Sequence, residues 1–224
     1  MNLTDLHRRL LRDVLDIGVA HGFVITGGYA VQAHGLVNRL SRDLDVATQN
    51  PAPMEAIAAA LGTALAARGW QVRKIEADPL SARMMVVDPA TKESCEVDVM
   101  KEAFYHPPAA TEYGPVLALE DVIGTKVRAL ADRGAARDLI DVRAASTLYS
   151  TADLENLGRR HARDEFRLED LAARLDGAEW FDDEAFTAYG LTEDEVSDLR
   201  TWARRWSDDI AGRISEQVIE DDLP

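Results

Sequence analysis

The sequence reads Thr26-Gly27-Gly28-Tyr29 and, shortly after, Arg39-Leu40-Ser41-Arg42-Asp43-Leu44-Asp45-Val46, and these two stretches are the most informative part of the chain. In the second stretch, acidic and apolar residues alternate with the two-residue period of a β-strand, so Asp43 and Asp45 share one strand face. Two carboxylates about 6 to 7 Å apart on a strand repel each other unless a cation or basic group lies between them. A hard divalent ion such as Mg²⁺ would remove that conflict. A strand with a merely acidic solvent face fits the same pattern.

The double glycine stands between a short apolar run, Phe23-Val24-Ile25, and a helix-compatible segment over residues 29–34. This order predicts a strand, a glycine turn and the start of a helix. Glycines let the backbone approach a phosphate closely, and the N–H groups at a helix start attract anions. Gly27-Gly28 alone also fits an ordinary turn. Followed by an acidic strand, it favours a site that handles phosphate and metal.

Taken together, Gly27-Gly28 and Asp43-Leu44-Asp45 resemble the signature of the DNA polymerase beta-like nucleotidyltransferase superfamily. With Arg39 and Ser41 included, the pattern is similar to that of the AbiEii/AbiGii-type toxin nucleotidyltransferases, relatives of the MenT toxins. The 14 residues between Gly28 and Asp43 make the gap slightly longer than usual. The resemblance implies that both glycines, Arg39 and Ser41 bind the nucleotide and that the two aspartates hold metal and are catalytic.

The superfamily needs a third carboxylate on a neighbouring strand, and Cys95-Glu96-Val97-Asp98-Val99 offers one. Alternation puts Cys95, Val97 and Val99 on one face and both acids on the other. Asp98 is the predicted third ligand, ahead of Glu96, in a site for two Mg²⁺ or Mn²⁺ ions. The ion at Asp98 would activate the attacking hydroxyl. A strand with a wet outer face is the alternative.

A lysine lies within the apolar stripe of a helix predicted over residues 119–133. At 100° per residue, Lys126 falls in the middle of that stripe. Because an unpaired buried charge is costly, Lys126 must reach solvent or find an anion. By resemblance, Lys126 matches the catalytic, phosphate-binding lysine of the family.

Two acids follow on the next predicted helix, where Asp138 and Asp141 lie three residues apart on one face. In the toxins that the chain resembles, an Arg/Lys-Asp-x-x-Asp segment follows the lysine at about this interval, and one Asp there is needed for activity. Asp141 is the first candidate for that catalytic acid. Asp138 is the second, and is also predicted to bind nucleotide. An acidic patch balanced by Arg137 and Arg143 is the alternative.

Helices and strands alternate up to residue 99 and only helices follow, which predicts an α+β fold. A polymerase-beta-like domain over residues 1–112 would hold a small mixed, twisted sheet flanked by helices. A helical domain over residues 113–224, acidic toward its C-terminus, would complete the cleft. The predicted strands cover residues 23–25, 43–47, 70–75, 83–87 and 95–99, and the predicted helices cover residues 3–17, 29–34, 54–68, 119–133, 166–175 and 192–214.

Composition limits the partners and the compartment. The 224 residues are 46% hydrophobic, without an apolar run long enough for a membrane span. A single cysteine, Cys95, excludes an internal disulfide. A soluble, cytoplasmic protein is therefore expected. The net charge is −15, and residues 151–224 carry 9 basic and 21 acidic groups. This acidity disfavours non-specific nucleic-acid binding but allows binding of a defined RNA end.

The residues and the resemblance together predict a Mg²⁺-dependent transferase that moves an NMP from an NTP to a hydroxyl and releases pyrophosphate. The resemblance implies the tRNA 3′ end as acceptor. It also implies a toxin of a type IV-like toxin–antitoxin or phage-defence system, whose antitoxin need not bind it. One alternative is nucleotidylation of a small molecule such as an aminoglycoside, because an acidic C-terminal part suits a cationic antibiotic. Another is a catalytically silent nucleotide-binding or antitoxin-like partner protein.

Overall fold

The computed structural model describes residues 1–39 and 41–221, with side chains up to residue 216, so Leu40 of the opening motif lies outside the described residues. The chain divides into two compact units, Met1–Val122 and Ile123–Pro224. That residues 1–112 and 113–224 fold as separate domains stays a prediction.

A mixed sheet forms the centre of the first unit. Its strands in the described residues are β1 (Val24–Ile25), β2 (Asp43–Thr48), β3 (Gln71–Ala77), β4 (Ser81–Val87), β5 (Ser94–Lys101), β6 (Ala109–Thr111) and β7 (Gly114–Val116). Their order is β3-β4-β5-β2-β1-β7-β6. The β2–β5 and β1–β7 pairs are parallel, and the others are antiparallel. The predicted α+β fold with a mixed sheet is confirmed.

The two faces of the sheet differ in chemistry, as the alternation predicts. Apolar residues of β2, β4 and β5 point to a buried face, including Leu44, Met84 and Val97. Helices α1 (Asp5–Gly18) and α3 (Met54–Ala67) pack on these strands, and α2 (Gly27–Ala33) follows β1. Thr4 caps α1 by accepting a hydrogen bond from the His7 amide at 3.1 Å. The acidic residues of β2 and β5 lie on the opposite, outer face of the sheet.

The short hairpin of β6 and β7 was not predicted from the sequence. Each strand has three residues, too few to show a two-residue period, so the pattern of residues 109–116 does not indicate a strand. Tertiary contacts define it instead, since β7 pairs with β1 through Val116 and Ile25. The Thr111 hydroxyl donates to the Gly114 carbonyl at 2.8 Å and closes the turn.

Past residue 122, the described chain is helical. Its helices are α4 (Leu119–Arg133, which begins in the first unit), α5 (Ala136–Ala145), α6 (Thr151–His161), α7 (Leu168–Asp176), α8 (Glu184–Thr187) and α9 (Glu193–Asp221). Before α9, the Thr192 amide donates to Glu195 and the Glu195 amide donates to the Thr192 hydroxyl, a capping box. Trp206 is buried and donates to Glu155 at 2.9 Å. Along the described helices, none combines the length and the apolar character that a membrane crossing requires.

Candidate active site

The parallel pairing of β2 with β5 gathers four carboxylates on the outer face of the sheet. Asp43 lies opposite Glu96, and Asp45 lies opposite Asp98. Neighbouring strands are about 4.8 Å apart, so each pair places two acids side by side. All four residues are partly buried. The register therefore brings together the three acids predicted as metal ligands.

Arg83 on β4 neutralises one of these acids and was missed from the sequence. It lies opposite Asp98 in the antiparallel β4–β5 pair. Its Nε donates to Asp98 Oδ1 at 2.7 Å and its Nη2 to Asp98 Oδ2 at 2.8 Å. These hydrogen bonds raise the pKa of Arg83 above its ordinary value. Alternation places Arg83 on the outer face of β4, but the pairing with Asp98 depends on the register between strands.

Gly27 lies directly against Asp45. Its φ is +61°, in the left-handed region that favours glycine. A β-carbon on Gly27 would stand 1.9 Å from Asp45 Oδ2. The Thr26 amide donates to the Asp45 carbonyl at 3.0 Å, which holds the end of β1 beside β2. The glycine turn and the acidic strand are thus parts of one site.

The second glycine faces the connecting segment of the motif. A β-carbon on Gly28 would lie 2.6 Å from Ser41 Oγ and 3.5 Å from Arg39 Nη1. Arg39 is buried, with 5% of its surface exposed. The Ser41 hydroxyl donates to the Asp43 carbonyl at 3.3 Å. The residues predicted to bind the triphosphate therefore surround the double glycine.

A buried pair beneath this segment, Tyr29 and His7, was also missed from the sequence. The Tyr29 hydroxyl donates to the Ser41 carbonyl at 3.3 Å and is hydrogen-bonded to His7 Nδ1. Burial raises the pKa of Tyr29 and lowers the pKa of His7, so both groups are neutral at physiological pH. The pair links α1 to the segment that carries Ser41.

The chemistry of Asp43 and Asp45 suits a hard divalent cation, because their oxygens share one face beside the glycine turn. Both oxygens of Asp98 accept hydrogen bonds from Arg83. Within residues 1–39 and 41–221, no three Asp, Glu, His or Cys side chains are grouped closely enough to hold a metal ion. As the side chains stand, the fit to a cation rests on Asp43 and Asp45. The three-acid metal site stays a prediction.

The second unit contains a buried charge cluster formed by α4 and α5. Lys126 Nζ lies 2.8 Å from Asp141 Oδ2 and 3.8 Å from Asp138 Oδ1. Arg133 donates two hydrogen bonds to Asp138, at 2.8 and 3.0 Å. Both acids are at most 1% exposed, and Lys126 is 8% exposed. The anion that Lys126 requires is thus supplied by α5. Burial of both acids argues against a solvated acidic patch.

Each unit therefore assembles part of the predicted site. The double glycine, Arg39, Ser41 and the sheet aspartates come together in the first, and Lys126 with Asp138 and Asp141 in the second. That both parts form one cleft stays a prediction, as do the roles of these residues.

A cavity of about 1100 Å³ in the first unit lies away from these carboxylates. Its lining includes Phe23, at the start of β1, and Asn50, beyond the end of β2. The acids and the glycine turn are at the opposite ends of those two strands. The cavity is lined instead by α1 and the β6–β7 hairpin, so its size does not locate the chemistry.

Comparison with known proteins connects this geometry to a family. The family model described as nucleotidyl transferase AbiEii toxin, type IV TA system, matches residues 9–212. The fold is similar to that of JHP933 from Helicobacter pylori, with a TM-score of 0.54 and 18% identity over 98% of this chain and 97% of that chain. MenT4, a nucleotidyltransferase toxin from Mycobacterium tuberculosis H37Rv, gives a TM-score of 0.54 and 17% identity over 94% of this chain and 90% of that chain. No curated protein gave a significant match.

Proposed function

Because the chain belongs to the AbiEii family of nucleotidyltransferase toxins of type IV toxin–antitoxin systems, we propose that it transfers an NMP from an NTP to a hydroxyl group and releases pyrophosphate. The close approach of Gly27 to Asp45, and of Gly28 to Ser41 and Arg39, is the observation that best supports this reaction. The double glycine thus brings backbone without side chains close to a carboxylate and a guanidinium. A polyphosphate with a cation needs these three groups together.

In the proposed reaction, the glycine turn and Ser41 hold the triphosphate. Arg39 offsets the negative charge that develops on the phosphates, and its burial strengthens this effect by excluding water. Asp43 and Asp45 hold a divalent cation. Mg²⁺ bound there would supply charge neutralisation and lower the pKa of the attacking hydroxyl. Catalysis then comes mainly from positioning and electrostatics.

The residues of α4 and α5 are assigned to the phosphates and the acceptor. Lys126 would bind phosphate oxygens, and an ionised Asp141 would accept the proton of the acceptor hydroxyl. The 2.8 Å contact between them means that Lys126 must divide its hydrogen bonds between Asp141 and the nucleotide. Asp138 would hold its neighbours in place, since it already binds Arg133.

For the acceptor, we favour the 3′ end of tRNA in the cytoplasm, as the toxin family suggests. Recognition would be confined to that end, because residues 151–224 carry a net charge of −12 and would repel the rest of the RNA. That acidity also supports a second candidate acceptor, a cationic small molecule such as an aminoglycoside. The cognate antitoxin would act with or without a stable complex.

The proposal is tested by incubating the purified protein and Mg²⁺ with each NTP labelled at the α-phosphate, with total tRNA in one set of reactions and an aminoglycoside in a second set. We expect label on tRNA, and loss of that label in Asp43→Asn and Asp45→Asn. Asp5→Asn, which removes an exposed acid elsewhere in the same unit, serves as the matched control and should retain transfer. Label on an aminoglycoside but not on tRNA would favour the second acceptor. Absence of transfer to either acceptor with any NTP would exclude both reactions and favour a silent binding protein.

A further inference from the structure

Arg83 occupies the position on Asp98 where a cation would bind. Both carboxylate oxygens of Asp98 are engaged, at 2.7 and 2.8 Å, by one guanidinium. A bidentate arginine uses the same in-plane lone pairs that a metal ion would use. The Asp98 side chain is 16% exposed, so there is little open space for a second cation beside the first partner. Arg83 takes two of the about four lone-pair sites of this carboxylate, so a chelating metal ion would have to displace it.

Two further acids surround the same guanidinium. Arg83 Nε lies 3.6 Å from Glu96 Oε2, and Arg83 Nη1 lies 3.9 Å from Glu76 Oε1. The Arg83 side chain is 41% exposed and the Glu76 side chain 61% exposed, so both have room to move. Rotation of the Arg83 side chain away from Asp98 would leave the guanidinium beside these two glutamates. Because Arg83 keeps an anionic partner in both positions, leaving Asp98 does not strand its charge.

We propose that Arg83 competes with a second divalent cation for Asp98. In the resting protein, Asp43 and Asp45 hold one cation and Arg83 blocks the other position. The second cation binds Asp98 only when Arg83 has moved to Glu76 and Glu96. Arg83 is thus a positioning residue, acting through Asp98. This inference rests on the proposed function, in which the sheet carboxylates hold metal.

The competition is measured by counting bound Mn²⁺ with electron paramagnetic resonance, on the full chain without nucleotide. At a Mn²⁺ concentration that saturates only the first site of the wild type, we expect one ion on the wild type and two on Arg83→Gln. The second ion should bind Arg83→Gln at least about tenfold more tightly than it binds the wild type. A hydrogen-bonded charge contributes enough free energy for that factor. Adding Asp98→Asn to Arg83→Gln should return the count to one, which identifies Asp98 as the ligand.

A charge-matched control separates competition from general electrostatics. Arg73→Gln removes the same charge from an exposed position on β3, the strand next to β4. It should leave the count at one. Arg83→Lys keeps the charge but cannot bind both oxygens in a fork, and should give an intermediate affinity. Thermal unfolding of each variant identifies any that fail to fold, and Arg83→Lys then provides the comparison.

Two results would overturn the inference. The first is an unchanged Mn²⁺ count and affinity in both Arg83→Gln and Arg83→Lys. The second is an equal gain in Arg73→Gln. The proposed function is tested separately, by measuring labelled NMP transfer on the same samples. Transfer that depends on Asp43, with no effect of Arg83 on Mn²⁺, rejects the inference alone. A second Mn²⁺ in Arg83→Gln, with no transfer to any acceptor, rejects the function alone.

Discussion

Gly27 and Asp45 are packed so closely that a β-carbon on Gly27 would stand 1.9 Å from an Asp45 carboxylate oxygen. This contact joins the glycine turn after β1 to the acidic strand β2, which follows it after the connecting segment. It also explains why the turn requires glycine for two separate reasons, the left-handed φ and the absence of a side chain. The closeness of these two residues is the basis of the first prediction.

Gly27→Ala should lower both stability and transfer. The positive φ costs roughly 1 to 2 kcal/mol in any L-residue with a β-carbon, and the clash displaces Asp45 in addition. A displacement of about 1 Å at a reacting site can reduce the rate about 100-fold. Gly22→Ala is the matched control, since Gly22 has nearly the same φ, +64°, and open space around it. Thermal unfolding and labelled NMP transfer are measured for both. Equal transfer by the two variants would contradict the assigned contact.

Lys126→Met should destabilise the protein by about 3 to 5 kcal/mol, because it removes one partner of the buried Lys126–Asp141 ion pair. The double variant Lys126→Met/Asp141→Leu should recover much of this loss, since an apolar pair replaces the buried ion pair. The free energy of unfolding is measured in urea by circular dichroism. Arg205→Met removes an exposed cation from α9 and should change stability by less than about 0.5 kcal/mol. A Lys126→Met midpoint that matches this control would show that the buried pair does not form.

Cys95 should react slowly with thiol reagents in the folded protein. Burial, and secondarily the charge of Asp43, raises the pKa of this thiol to about 12. Because the thiolate is the reactive species, alkylation at pH 8 should be at least about 100-fold slower than in the denatured protein. Cys95 is the only cysteine of the chain, so the rate reports one site. Rates within a few-fold of each other would argue against burial of the thiol.

The raised pKa of Cys95 should also affect the stability of the protein at alkaline pH. A thiol pKa that is higher in the folded than in the unfolded protein favours folding below the ordinary thiol value and loses that contribution as pH rises toward 12. The free energy of unfolding should therefore fall as pH rises above about 9. Comparison with Cys95→Ala isolates this thiol from Tyr29, whose pKa burial also raises.

Local patterns predicted much of the fold. The alternation in residues 43–47 and 95–99 correctly assigned the faces of β2 and β5, because side-chain direction along a strand has a period of two. The apolar stripe on α4 indicated that Lys126 would either reach solvent or find an anion, and Asp141 is that anion. The hairpin of β6 and β7 was missed because its strands are too short for any period. Helix α6 was missed although its capping box, Ser150 with Asp153, is a local signal.

The residue types of the candidate site, and the side of each strand or helix on which they lie, follow from the sequence alone. Which of these residues are neighbours depends on the tertiary structure. The β2–β5 register set Asp45 beside Asp98, and the β4–β5 register set Arg83 on Asp98. The tertiary structure also pairs Lys126 on α4 with Asp141 on α5. Spacing along one element is local geometry, whereas register between elements depends on how the whole core packs.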